Sequence, residues 1–111
     1  MKELPVVPRA MANRDVDEAI QYYLQESAVS AALGFIDELE RAYAHLSRHP
    51  AMGSTRYAYE LDLPDLRCWS LGKYPYLVFY VTRADYVDVW RVLHAVRDIP
   101  PMFCDPDALS R

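Results

Sequence analysis

Cysteine is nearly missing from this sequence: Cys68 and Cys104 are the two present among 111 residues. They form no C-x-x-C pair, which excludes a zinc knuckle and a thioredoxin-type motif. Nothing in their spacing forces a bridge, and the expectation is free thiols in a cytoplasmic protein. Glycine is also scarce, with three residues against eight prolines, so no Gly-rich loop is available to cradle a phosphate. No apolar run approaches the ~20 residues of a membrane span. The opening residues Met1 to Pro5 lack the apolar stretch of a signal peptide. An excess of positive charge is missing too. Twelve Lys and Arg face sixteen Asp and Glu, for a net charge of −4, which argues against nucleic-acid binding through bulk charge.

What is present is apolar and aromatic. A hydrophobic content of 52% excludes a disordered chain. The length suits one domain, expected over 1–111 with a core at about 3–103 and a tail at 104–111. A chain of this size buries roughly 65% of its unfolded surface, enough for a core without staples. Nine tyrosines point to packed elements and a contact surface.

The first half reads as helical. Residues 3–7 suit a short edge strand, because Pro5 cannot donate to a ladder. Pro8 suits the first turn of a helix. Ala12, Val16, Ala19, Ile20 and Tyr23 then form one apolar stripe, predicting a helix from Arg9 to Glu26. Asp15, Asp17 and Glu18 are expected to stay wet. Ser27 or Ser30 is the expected cap of a second helix. Its stripe runs Val29, Ala32, Leu33, Ile36, Leu39, Tyr43, Leu46 and ends near Arg48. Asp37 and Glu38 can each pair with Arg41 on its wet face. The short connection predicts an antiparallel hairpin.

The second half changes period. Leu66 to Leu71 is a strand, Gly72 to Pro75 a tight turn, and Tyr76 to Val81 the most β-prone run. Both faces of that run are apolar, so it is expected to be central. Arg83 to Asp85 turns back into a last strand from Tyr86 to His94. Short turns predict an antiparallel meander. The order β-α-α-β-β-β makes an α+β two-layer sandwich, a helical hairpin on an antiparallel sheet. The face carrying Tyr76, Val78, Tyr80 and Trp69 is expected to be uncovered, a patch that calls for a partner chain.

These pieces together resemble the ParE toxins of type II toxin–antitoxin systems, within the RelE/ParE group. The matching segments are Val7 to Ala10, Asp17 to Tyr23, Gly34 to Leu39, His49 to Gly53, Pro75 to Tyr80 and Trp90 to Pro100. The run Arg91-Val92-Leu93-His94-x-x-Arg97-Asp98 is the best single marker. The resemblance implies the same β-α-α-β-β-β fold, with no room for a DNA-binding module. It implies two possible activities, gyrase poisoning of the ParE kind or ribosome-dependent mRNA cleavage of the RelE kind. A ParD-like antitoxin is the implied partner, in a hetero-oligomer, with an amphipathic helix on the toxin's helices and an extended piece near the sheet. A non-toxic binding module on the same fold is a third reading.

The residues discriminate between the two activities. An RNase needs a base, an acid and cations over the scissile phosphate. The chain offers Arg67, Lys73, Arg83, Arg91, His94 and Arg97, and if it cleaves RNA the catalytic candidates are His94, Arg91 and Arg97. Yet Asp85, Asp88 and Asp98 interleave with these cations, and the tail carries Asp105 and Asp107. Residues 51–111 hold seven basic and eight acidic side chains, unlike a protein that docks into ribosomal RNA. The expectation is therefore a gyrase inhibitor acting by protein–protein contact, not an enzyme, with no direct nucleic-acid or membrane partner and no cofactor. Candidate contacts with target or antitoxin are Arg67, Tyr76, Tyr80, Arg91, His94, Arg97 and Asp98.

Each candidate has a packing alternative. His94 can sit beside Trp90 at a strand end, and Arg91 can pair with a helix carboxylate. Arg97 and Asp98 can pin the tail. His45 and His49 lie four apart, a metal-compatible spacing, but cations at a helix C-terminus explain them more simply and no third ligand is in sight. Cys68 alternates with apolar neighbours and reads as a small buried hydrophobe. Alternation along the last strand groups Arg91 with Val89 and Leu93.

Overall fold

A computed structural model describes residues 3–95, with the side chains of 59–61 left out. The expectations for Arg97, Asp98, Cys104, Asp105, Asp107 and the tail lie outside these residues. The elements are β1 (Val6–Pro8), α1 (Ala10–Gln25), α2 (Val29–Arg48), a 3-10 turn (Pro50–Met52), α3 (Arg56–Leu61), β2 (Leu66–Ser70), β3 (Tyr76–Thr82) and β4 (Val87–His94). The sheet order is β1-β4-β3-β2. It places β3 inside and β1 at an edge. Pro8, expected in the first turn of the helix, is instead the last residue of this edge strand, and α1 begins at Ala10.

The two long helices form where their stripes lie, but two members of the α2 stripe, Val29 and Leu33, are exposed at 57% and 60%, and Phe35 and Ala42 are buried in their place. Ala12 and Ala19 of α1, and Phe35, Leu39, Ala42 and Leu46 of α2, are buried. They meet Tyr76, Val78, Tyr80, Val87, Val89 and Val92 of the sheet in one core. Two expectations for the helices change. The cap of α2 is Ala28, without a side-chain hydrogen bond. Ser27 instead ends α1 in the left-handed region at φ 57°, its N–H donating to the Leu24 carbonyl at 3.0 Å. Asp15 is not wet but buried at 8% exposure, because α1 presents it to β4 beside Ala12 and Ala19.

The sheet corrects the reading in three further ways. β1 pairs with β4 in parallel, whereas β2, β3 and β4 form the expected antiparallel meander. A sheet closed by a strand that precedes two helices is mixed, not antiparallel. The faces are also reversed: Tyr76, Val78, Tyr80 and Trp69 turn toward the helices. Alternation says which residues share a face but not which face the helices choose. The opposite face carries Leu66, Cys68, Phe79, Val81 and Leu93. It is partly covered by α3, where Tyr57 lies 5.4 Å from Phe79, ring to ring, and Ala58 is buried. With one turn and a half of helix, α3 has too few residues to show a stripe.

The third correction is a bulge. Phe79 pairs with Arg91 but the adjacent Tyr80 pairs with Val89, so Trp90 is the extra residue. Val89 and Val92 therefore both point into the helix-side core, and simple alternation fails across this point. Glycine matters at two places. Gly72 has φ +82° in the β2–β3 turn, and a Cβ at Gly53 would strike the Tyr80 hydroxyl.

Candidate functional site

The side chains singled out from sequence fall into separate places. Tyr80 is fully buried. Its hydroxyl donates to the Pro50 carbonyl at 2.7 Å and accepts the Gly53 N–H at 2.9 Å. Burial pushes its pKa up. This tyrosine pins the 3-10 turn behind α2. Arg67 grips the same turn, donating from Nη1 to the carbonyls of Ala51 and Gly53 at 3.0 and 2.9 Å. Tyr76 is buried, its ring 5.1 Å from Phe35 and 5.2 Å from His94, edge-on in both cases. Neither tyrosine offers surface to a partner in this fold.

Arg91 takes its packing alternative. It forks onto Asp15 of α1, with Nε–Oδ2 at 2.8 Å and Nη2–Oδ1 at 2.9 Å. The same Oδ2 accepts the Val92 N–H at 3.0 Å. β1 pairs only as far as Val89 of β4, so this carboxylate takes a strand N–H that β1 does not reach. Nearby, burial pushes the Tyr43 hydroxyl up to about 12, with the Asp15 charge adding to the shift.

His45 stacks on Trp69 with ring centroids 4.3 Å apart, and lies 5.1 Å from His49. Among the described residues no group of three or more His, Cys, Asp or Glu is placed to hold a metal. No described helix is long and apolar enough to cross a membrane. Cys68 is a free, buried thiol whose pKa burial raises.

A cluster not singled out from the sequence stands on the sheet face away from the hairpin. Asp88 is 4% exposed. It accepts Nε and Nη2 of Arg9 at 3.0 and 2.9 Å, and Nε and Nη2 of Arg83 at 3.2 and 2.9 Å. It also accepts the Trp90 indole N–H at 3.1 Å. The Arg9 guanidinium lies 4.8 Å from the centre of the Trp90 ring. These donors, led by Arg9, hold the Asp88 carboxyl down to about 2, and the carboxylate in turn raises the pKa of Arg9. A cleft of about 140 Å³ opens beside it, lined by Leu63, Pro64, Leu66, Val81, Arg83 and Trp90, with Asp65 on its wall. The available signal was an aspartate alternating between Val87 and Val89, two residues before a tryptophan. Its partners lie as many as 79 positions away.

The cations are thus dispersed. Arg91 is committed to α1, Arg67 to a turn, and Arg9 and Arg83 to Asp88. Arg91 and Arg67 stand at separate places in the fold, and Arg9 and Arg83 share a third.

Comparison with known proteins agrees with this architecture. The family described as "ParE toxin of type II toxin-antitoxin system, parDE" matches residues 6–99. Among solved structures the chain is similar to one described as "Chromosomal ParDE TA system from P. aeruginosa", with a TM-score of 0.69 and 15% identity. The match covers 83% of this chain and 96% of that one, and at this identity it concerns the fold. No curated protein matches. With a family match across most of its length and an α+β sheet-and-hairpin fold to go with it, the chain belongs to the ParE toxins of type II toxin–antitoxin systems.

Proposed function

We propose that this ParE-type toxin inhibits DNA gyrase by protein–protein contact and is neutralised by a ParD-like antitoxin. The observation that carries the reading is the commitment of its cations. Arg91, Arg67, Arg9 and Arg83 each hold a structural partner, and the Tyr80 hydroxyl is locked between two backbone groups. A catalytic phosphodiesterase site needs such groups free and convergent. A contact surface needs them only to be rigid and partly exposed. The net charge of −4 supports a protein target over a ribosomal one. Arg67, Arg91, His94, Arg97 and Asp98 are the candidate contacts, and the protein works in the cytoplasm, where gyrase and its DNA are.

The test pairs two reactions. Purified protein is added to a gyrase supercoiling assay and to translating ribosomes. Accumulation of cleaved DNA with intact mRNA is expected. Cut mRNA with undisturbed supercoiling would establish the endonuclease reading instead, and no effect in either would leave a binding module. Co-purification with a ParD-like protein that restores supercoiling tests the antitoxin half.

A further inference from the structure

We propose that the Arg9–Asp88–Arg83 corner and the cleft beside it form a docking site for a polypeptide segment that pairs a carboxylate side chain with a neighbouring apolar one.

Charge comes first. Two guanidinium groups share one carboxylate, so these three side chains together carry one net positive charge. The carboxylate side chain is 6% exposed, whereas those of Arg9 and Arg83 are 52% and 41% exposed. The buried anion therefore braces two forks whose outer edges face solvent. Each spends Nε and Nη2 on Asp88, which fixes the plane in which a second carboxylate would meet them.

The cleft supplies the second half. Arg83 and Trp90 belong to both the corner and the cleft wall. The volume of about 140 Å³ is well below the ~300 Å³ at which small-molecule pockets begin. It suits a single side chain. Leu63, Leu66, Val81 and Trp90 make its wall apolar, and Leu63 is 37% exposed at its mouth.

Two features select a peptide over nucleic acid. Asp65 lies on the cleft wall, so a run of phosphates along the cleft would meet a like charge, whereas a single carboxylate needs only the guanidinium groups. Arg9 covers a face of the Trp90 ring, the surface on which a base would stack.

The test uses the whole protein, labelled with nitrogen-15, and a short synthetic peptide carrying one Glu beside one Leu in a Gly-Ser background. A Lys-Leu peptide, inorganic phosphate and an oligouridylate are the controls. Saturable shifts of the Trp90 indole N–H and the Arg83 Nε–H are expected with the Glu-Leu peptide only. Arg83→Gln should weaken binding about tenfold or more, the size of a lost charge-assisted hydrogen bond. Leu63→Ser, which leaves the corner intact, should weaken the peptide as well. Shifts centred elsewhere, or equal binding by the Lys-Leu peptide, would overturn the proposal. So would tighter binding by oligouridylate, phosphate binding as tight as the peptide's, or full affinity in either variant. Neither gyrase nor antitoxin is present, so this outcome is separate from that of the supercoiling assay.

Discussion

Asp15 and Arg91 join the first helix to the last strand through a two-pronged ion pair, 2.8 and 2.9 Å long, sealed by the Val92 N–H on the same carboxylate. The pair spans 76 positions and sits where the bulge at Trp90 has broken the alternation of β4. The contact makes Asp15 the acceptor for a strand N–H beyond the end of β1. One side chain thus serves helix docking and sheet termination together.

Asp15→Asn should lower the unfolding free energy by roughly 2–4 kcal/mol. It removes one charge of a pair that is largely buried and leaves the Arg91 guanidinium without its counterion. Urea titration followed by circular dichroism measures the loss. A double-mutant cycle with Arg91→Gln should show coupling of about 1 kcal/mol or more. Additive losses would mean that the ion pair contributes nothing of its own.

Tyr80→Phe should cost about 1–3 kcal/mol, since the Gly53 N–H and the Pro50 carbonyl both lose their partner behind α2. Gly53→Ala should be worse, because its Cβ would occupy the place of that hydroxyl and the ring is buried. Thermal melts of the two variants order the effects.

Tyr43→Phe should act in the opposite direction. The Tyr43 hydroxyl is buried with no hydrogen-bond partner among the described residues. Removing it should raise stability by up to about 1 kcal/mol. A lowered urea midpoint would show that the hydroxyl has a role its surroundings do not display.

Acid should weaken the Asp88 corner at low pH only. The folded carboxyl is held at about 2 against an ordinary 3.8. A depressed folded pKa contributes stability above the unfolded value and loses it as pH falls through the folded one. The contribution is complete above about pH 5 and disappears between pH 4 and pH 2. Its size is about 1 kcal/mol, discounted because both guanidinium partners are half in solvent. Asp88→Asn should flatten that part of the stability–pH curve, as measured by denaturation at a series of pH values.

Local patterning determined much of this protein. The stripes of α1 and α2 bound the helices to within a residue or two, because a helix buries one face at a period of 3.6. The doubly apolar run Tyr76 to Val81 marked β3 as covered on both faces, and it lies inside the sheet between β4 and β2, with the helix hairpin on one side and α3 on the other. The order of elements and the matching segments carried the family, and the pairing of Arg91 with a helix carboxylate was among the alternatives they left open. Other features depended on contacts between distant residues. The helices took the Tyr76, Val78 and Tyr80 face because Phe35, Leu39 and Leu46 fit against it, a matter of packing that alternation cannot express. The Trp90 bulge exists only in the pairing of β4 with β3. Asp15 reads as one acidic residue among several on a wet helix until β4 is laid beside it. Arg9, Arg83 and Trp90 become one cluster only when β1, β3 and β4 bring their ends to Asp88. Periodicity records how a segment meets an unspecified surface, and tertiary structure decides which surface that is.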